Sequence, residues 1–285
     1  LNEILPFLLP VAGVAIGYVS AIFGVGGGFF FTPFYHAILG LPAADAVATS
    51  MLQTPVQTGS SVLAFQRKKN LQWKTGMLLG GFSLLTTFFS AQWISSFHET
   101  DFGKLKLWLG QTGADWLVIL VYAATMISLS IYSLFQLRRS TPPEQEAPVQ
   151  NCFRIKNVLY SAALGAFLGV FSPLAGVGGG LIAVPYFMHV CKMNPAAAVS
   201  NSNVYILVLS VFAGSVYLLT GTGELSFALL ASLGAFLGAQ LGSRHVLAIH
   251  PKSSKRRSSF FRWASSFFTY LLNFFCKCRK STHFL

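Results

Sequence analysis

Charge is what this sequence has least of. Asp, Glu, Lys and Arg make up 10% of its 285 residues, against about a quarter in soluble domains. A chain so poor in charge cannot cover a water-facing surface, which excludes an ordinary soluble protein. Acidic groups are the scarcer sign, 8 against 20 basic. No Asp, Glu, Lys or Arg falls within 4–39, 75–97, 116–137, 157–191 or 225–243. With no acid–base pair, metal cluster or activated nucleophile in those stretches, an enzyme is not expected and no cofactor is implied. Cysteine is sparse too: Cys152, Cys191, Cys276 and Cys278 form no disulfide framework, and the Cys276-Lys277-Cys278 run reads as thiols beside a membrane helix.

Apolar residues fill the gap, at 53%. A helix crosses a hydrocarbon core of about 30 Å with roughly 20 mostly apolar residues, and several stretches reach that length. The expected class is all-α: a polytopic membrane protein of about eight to ten membrane segments. The net charge of +12 is not read as a nucleic-acid footprint. The basic residues sit in short segments between spans, at Arg67–Lys69, Arg138-Arg139, Arg154–Lys156 and Arg244–Arg262, the distribution of cytoplasmic loops. The first apolar stretch has no basic segment before it and runs straight into a glycine-rich motif, so it reads as part of the fold and not as a leader. The setting is a cell membrane, with a bacterial inner membrane fitting the charge pattern, and the partners are the bilayer and a small solute. Homo-oligomerisation stays open.

One ten-residue pattern occurs twice. GVGGGFFFTP starts at Gly24 and GVGGGLIAVP at Gly176, an offset of 176 − 24 = 152. At the same offset Gly13 and Gly17 align with Gly165 and Gly169, Pro33-Phe34-Tyr35 with Pro185-Tyr186-Phe187, and Ala46–Ser50 with Ala198–Ser202. This is an internal repeat. Charge placement orients it. With Arg67–Lys74 and Arg138–Lys156 inside, 75–97 exits and 116–137 returns. The stretch 158–190 then goes in and comes back, 197–219 exits and 226–243 returns. The extra span at 116–137 turns the halves upside down relative to each other, an inverted repeat of broken-helix halves. The expected layout is 1–137 for the first repeat with its connecting span, 138–157 for a polar cytoplasmic linker, 158–245 for the second repeat, and 246–285 for a basic tail with one short apolar segment.

Three consecutive glycines make poor helix interior, each costing about 1 kcal/mol against Ala. The helix is therefore expected to break at Gly24–Gly28 and Gly176–Gly180, with a second helix running from near Gly28 towards His36. Irregular backbone at membrane depth is tolerated only where protein buries it or where it lines a cavity. A helix N-terminus carries free N–H groups and a partial positive charge, and glycine leaves them unshielded. The pattern describes an anion cradle made of backbone, with Gly26, Gly27 and Gly28 in one half and Gly178, Gly179 and Gly180 in the other. Thr49, Ser50, Gln53 and Gln57, together with Asn201 and Ser202, are the neutral side chains expected to complete the binding site. Other roles stand beside these. The turns serve as packing hinges in one alternative, and Gln53 and Asn201 bond between helices. His36 and His189 sit at interfaces, and Asp45 caps a helix. Gly13-x-x-x-Gly17, Gly165-x-x-x-Gly169 and Gly234-x-x-x-Gly238-x-x-x-Gly242 read as helix-packing stripes. A dinucleotide-binding reading fails because position 29 is Phe, so G-x-G-x-x-G is not completed.

In these paired Gly24–Pro33 and Gly176–Pro185 segments, each followed by a small-residue and hydroxyl or amide stretch, the chain resembles the sulfite exporter TauE/SafE family over roughly residues 5–245. The resemblance implies transport of a small sulfur-containing anion, such as sulfite or sulfoacetate, across the cytoplasmic membrane. The expected mechanism is alternating access, with a passive anion channel, or a scaffold that binds a partner through the basic tail, as the alternatives. Two departures stand out: 82–96 lacks the glycine pattern of 234–242, and the tail beyond Arg244 does not look like a usual last span.

Overall fold

The computed structural model describes residues 5–67, 71–99, 120 and 155–249. Apart from Leu120, the expected span at 116–137 lies outside the described residues, as do nearly all of the linker and the tail beyond Ile249. The described part holds helices α1 (Leu5–Phe23), α2 (Gly28–Ala37), α3 (Ala43–Gln66) and α4 (Trp73–Glu99), then α5 (Ile155–Ala175), α6 (Gly180–His189), α7 (Pro195–Thr220) and α8 (Leu225–Ile249). No strand occurs among the described residues. Adding 152 to the bounds of α2 gives those of α6, so the sequence repeat is a repeat of helices.

Neighbouring residues give each helix its direction. Gly13 lies against Ala231 and Gly17 against Ala235, so α1 and α8 run parallel. Ser60 donates to the Phe236 carbonyl at 2.7 Å, and Asp45 Oδ1 accepts from the Gly223 amide at 3.2 Å, so α3 also runs with α8. Gly165 lies against Leu79 and Gly169 against Ser83, and Gly76 and Gly80 lie against Val204 and Val208. Helices α4, α5 and α7 therefore share one direction. Between the two sets, Gly59 faces Leu207 while Gly214 faces Met51, so α3 and α7 are antiparallel. Each helix of the first half thus opposes its counterpart in the second, and the repeat is inverted. The halves also interlock. The first helix of each packs on the last of the other, while α3 and α7 cross at the centre.

The same directions place Arg67, Lys74, Lys192 and Arg244 towards one end of the bundle and Asp45 and Glu224 towards the other. By the positive-inside rule the basic end is cytoplasmic.

Among the described residues, four helices are long and apolar enough to cross a membrane: Pro6–Phe23, Asn157–Ala175, Pro195–Thr220 and Leu225–Ala248. The central α3 is not among them because Thr49, Ser50, Gln53, Thr54, Gln57, Thr58, Ser60 and Ser61 dilute its hydropathy. All eight are buried in protein, so lipid never meets them. Apolar side chains face outward instead, among them Val11, Leu85, Leu159, Leu219 and Leu233. That is the expected surface of a bundle in hydrocarbon.

The stripes of small residues do pack helices. A Cβ on Gly234 would strike the Pro10 carbonyl oxygen, one on Gly238 that of Val14, and one on Gly242 that of Tyr18. The backbones of α1 and α8 approach as closely as glycine permits. In the other half Phe82, Thr86 and Ser90 stand where α8 has these glycines. There Ser90 donates to the Gly169 carbonyl at 2.9 Å, so a hydrogen bond replaces part of the close contact. The cysteine reading needs one correction: Cys191, buried at the end of α6, is disulfide-bonded. The other three cysteines lie outside the described residues.

Gly238→Leu is expected to lower stability by about 3 kcal/mol or more through overpacking. Gly81→Ala, with nothing within 4 Å of the new methyl, should leave it unchanged or raise it by up to about 1 kcal/mol. Thermal melts of the two purified variants in detergent check both.

Candidate functional site: two interlocked glycine turns

The chain breaks where the glycines are. Gly24 and Gly26 have φ of 66° and 77°, and Gly176, Gly178 and Gly179 have φ of 65°, 71° and 72°. These are left-handed conformations that glycine adopts without a Cβ clash. They end α1 and α5 and let the chain turn back into α2 and α6. Each of these short helices has ten residues, about 15 Å at 1.5 Å per residue, enough for half a crossing. Both start at the turns and run outward in opposite directions.

The two turns touch. Gly28 lies against the Gly176 carbonyl and Gly180 against that of Gly24, while Gly178 lies beside the Val25 carbonyl oxygen. Gly26, Gly27, Gly28, Gly178, Gly179 and Gly180 are therefore gathered in one place, with the N-termini of α2 and α6 facing each other across it. Ile206 packs on Gly26, Gly178 and Gly180, and Val25, Phe29, Ala175 and Val177 form a small apolar core around the turns.

Ser202 and Ser50 serve the turns. Ser202 donates to the Gly24 carbonyl at 2.7 Å. In the mirrored position the Thr32 hydroxyl lies 3.3 Å from the Gly176 carbonyl and 2.9 Å from Ser50 Oγ. Ser50 gives its own proton to Val47 at 2.7 Å, so Ser50 Oγ accepts, and the single Thr32 proton is shared between it and the Gly176 carbonyl. The Ser202–Gly24 and Thr32–Gly176 bonds cross from one half to the other, and each satisfies a carbonyl that the broken helix leaves open.

Thr49 and Asn201 stand away from this centre. Thr49 donates to the Asp45 carbonyl at 2.6 Å and accepts the Glu224 amide at 2.9 Å. With Asp45 it caps the turn that enters α8 and not its own helix. Asn201 Nδ2 donates to Ala197 at 2.8 Å, and its Oδ1 is buried without a partner.

Gln53 and Gln57 face Gly27. A Cβ there would collide with Gln57 Oε1 and lie 2.8 Å from Gln53 Nε2. Both glutamines are 1% exposed. Both polar atoms of Gln53, and Gln57 Oε1, lack a partner. An unsatisfied buried polar group costs about 1–3 kcal/mol, so the three on these two glutamines are a costly feature of this place.

Four contributors were missed in the sequence: Ser20, Thr32, Tyr205 and Ile206. The 152-residue offset carried a signal for two. Tyr205 is the counterpart of Gln53, and its buried, unpartnered hydroxyl lies 2.7 Å from a Cβ on Gly179. Ser20 is the counterpart of Ser172. It accepts from Gln57 Nε2, whereas Ser172 Oγ has no partner because Leu209 stands where Gln57 would. The two cradles share their helix order but differ in polarity and in backbone, Gly27 having φ of −64° where Gly179 has 72°.

Ser202→Ala should lower stability by about 1–3 kcal/mol by stranding the Gly24 carbonyl. The exposed Ser215→Ala should stay within about 0.5 kcal/mol. Paired thermal melts distinguish a clamp from a neutral surface hydroxyl.

Comparison with known proteins agrees with this architecture. The family described as Sulfite exporter TauE/SafE matches residues 9–265. A probable membrane transporter protein of Methanocaldococcus jannaschii is 25% identical over 264 residues, covering 87% of this chain and 89% of the relative. One of Bacillus subtilis is 26% identical over 248 residues, covering 83% and 86%. Another, from Sinorhizobium, is 24% identical over 246 residues, covering 86% and 84%. No solved structure matches the chain. With the family matched across nearly its whole length, this multi-pass membrane protein belongs to the sulfite exporter TauE/SafE family of membrane transporters.

Proposed function

We propose that the chain carries a small anion, a sulfur oxyanion or organosulfonate such as sulfite or sulfoacetate, across the membrane by alternating access. The observation that carries the proposal is the meeting of two half-helix N-termini at glycine turns in the middle of the bundle. Each N-terminus presents amide N–H groups and about half a positive charge. Two of them facing one point attract an anion without any side-chain charge. No Asp, Glu, Lys or Arg is buried among the described residues, so an anion there meets no fixed negative group.

Mobility follows from the symmetry. In an inverted repeat, the conformation of one half can be exchanged for that of the other, which opens the site to opposite sides in turn. Gly26, Gly27 and Gly28, with Gly178, Gly179 and Gly180, are the backbone donors in this reading. Gln53 and Gln57 complete the coordination. Ser50 and Ser202 hold the turns in shape, and Thr49 and Asn201 act from farther out. The family name supplies the sulfur chemistry.

Thermal melts of the purified full chain with sulfite, sulfate, thiosulfate, sulfoacetate, taurine and chloride test the proposal. A ligand bound only by the folded state at a hundred times its Kd adds about 2.7 kcal/mol. A sulfur anion is expected to stabilise the protein, and Gly27→Ala, whose methyl would displace Gln57 Oε1, should abolish the shift while remaining folded. In proteoliposomes, uptake should saturate and show exchange of labelled anion. Non-saturating flux that only follows voltage would make the protein a channel.

A further inference from the structure

Proton accounting gives the first cradle a polarity that a simple anion cannot match. Ser20 donates its one hydroxyl proton to the Gly17 carbonyl at 3.2 Å. It therefore meets Gln57 as an acceptor, and the nitrogen of Gln57 must face it, as it does. The carboxamide is planar, so Oε1 is turned the other way, onto Gly27. This orientation is dictated by the neighbours and is not a free choice of amide flip. Gln53 Nε2 comes within 2.8 Å of the same point. A buried acceptor and a buried donor thus share one position at the N-terminus of α2, and neither has a partner.

A fully deprotonated oxyanion offers only lone pairs. It would satisfy Gln53 Nε2 and the α2 amides, and it would set one of its oxygens against the bare Gln57 Oε1. We propose that this cradle selects a protonated oxyanion, with Gln57 Oε1 accepting a hydrogen bond from the anion's own proton while Gln53 and the α2 amides hold its other oxygens. The second cradle has Tyr205 and Leu209 at the matching positions and lacks the carboxamide pair, so the selection belongs to the first half alone. The inference rests on the anion reading above and names the protonation state of the guest. It also has a transport consequence: the guest brings its proton with it, so a proton crosses without any intramembrane carboxylate.

Calorimetric titration of the full chain with sulfite, below and above that anion's own second pKa and in two buffers of different ionisation heat, tests the idea. Sulfate serves as the donorless comparison. Sulfite affinity should fall by about tenfold per pH unit above that pKa, with one proton taken up per anion bound. Sulfate should bind at least about tenfold more weakly, the loss of one hydrogen bond in a buried site. Gln57→Met, which keeps length and removes the acceptor, should bring sulfite and sulfate within about threefold of each other. Sulfite binding that ignores pH and takes up no proton overturns the inference and leaves the anion cradle standing. Equal binding of sulfite and sulfate by the unmodified chain overturns it as well, a water then being the partner of Gln57. No binding of either anion overturns both this inference and the function it rests on. The unmodified chain decides each of these outcomes even if the variant fails to fold.

Discussion

Hydrocarbon offers no hydrogen bonds, so every backbone polar group freed inside a membrane must find a partner within the protein. That constraint governs this fold. Breaking α1 at Gly24 and α5 at Gly176 frees carbonyls in the middle of the bundle, and neither half can satisfy its own. Ser202, from the second half, serves Gly24, while Thr32, from the first half, serves Gly176. The interlocked packing follows from the same need. Each turn is pressed against the other half, and Ser202 reaches its carbonyl from α7, one of the two helices that cross at the centre.

Two kinds of glycine meet different requirements here. Those in α8, and their partners in α1, let two straight helices touch at the backbone, and the gain is dispersion and close packing. Those in the turns change the direction of the chain and leave amide groups bare. A substitution in the first kind pushes helices apart. In the second kind it fills the space in front of the buried glutamines, as the overlap of a Gly27 methyl with Gln57 shows.

The departure from symmetry is as informative as the symmetry. Two halves with the same helix order could have carried the same side chains, yet Gln53 and Gln57 face Gly27 while Tyr205 and Leu209 occupy the equivalent places. Ser172 records the difference, since it keeps the hydroxyl of Ser20 without a carboxamide to meet it. In the proposed transport cycle a symmetric frame suits a rocking motion, because both end states then have similar energies, and the proposed guest would meet an asymmetric lining that favours one orientation.

Much was legible from the residues alone. Scarce charge and long apolar runs determined a membrane protein. The 152-residue offset determined two equivalent halves, and the glycine runs determined where helices break, because composition and local backbone preference act on neighbours in the chain. Basic residues between spans also indicated the inverted arrangement, since charge and topology are linked through membrane insertion. Only the tertiary structure decided what each polar residue does. Ser50, Gln53 and Ser202 look interchangeable as members of polar stretches. Folding sends Ser202 to a helix-break carbonyl, Ser50 to the Thr32 hydroxyl, Gln53 to Gly27, and Thr49 to a distant turn. Those assignments depend on contacts between residues up to 178 positions apart, as Ser202 and Gly24 are, and the pairing of α3 with α7 sets them through packing that no local pattern contains.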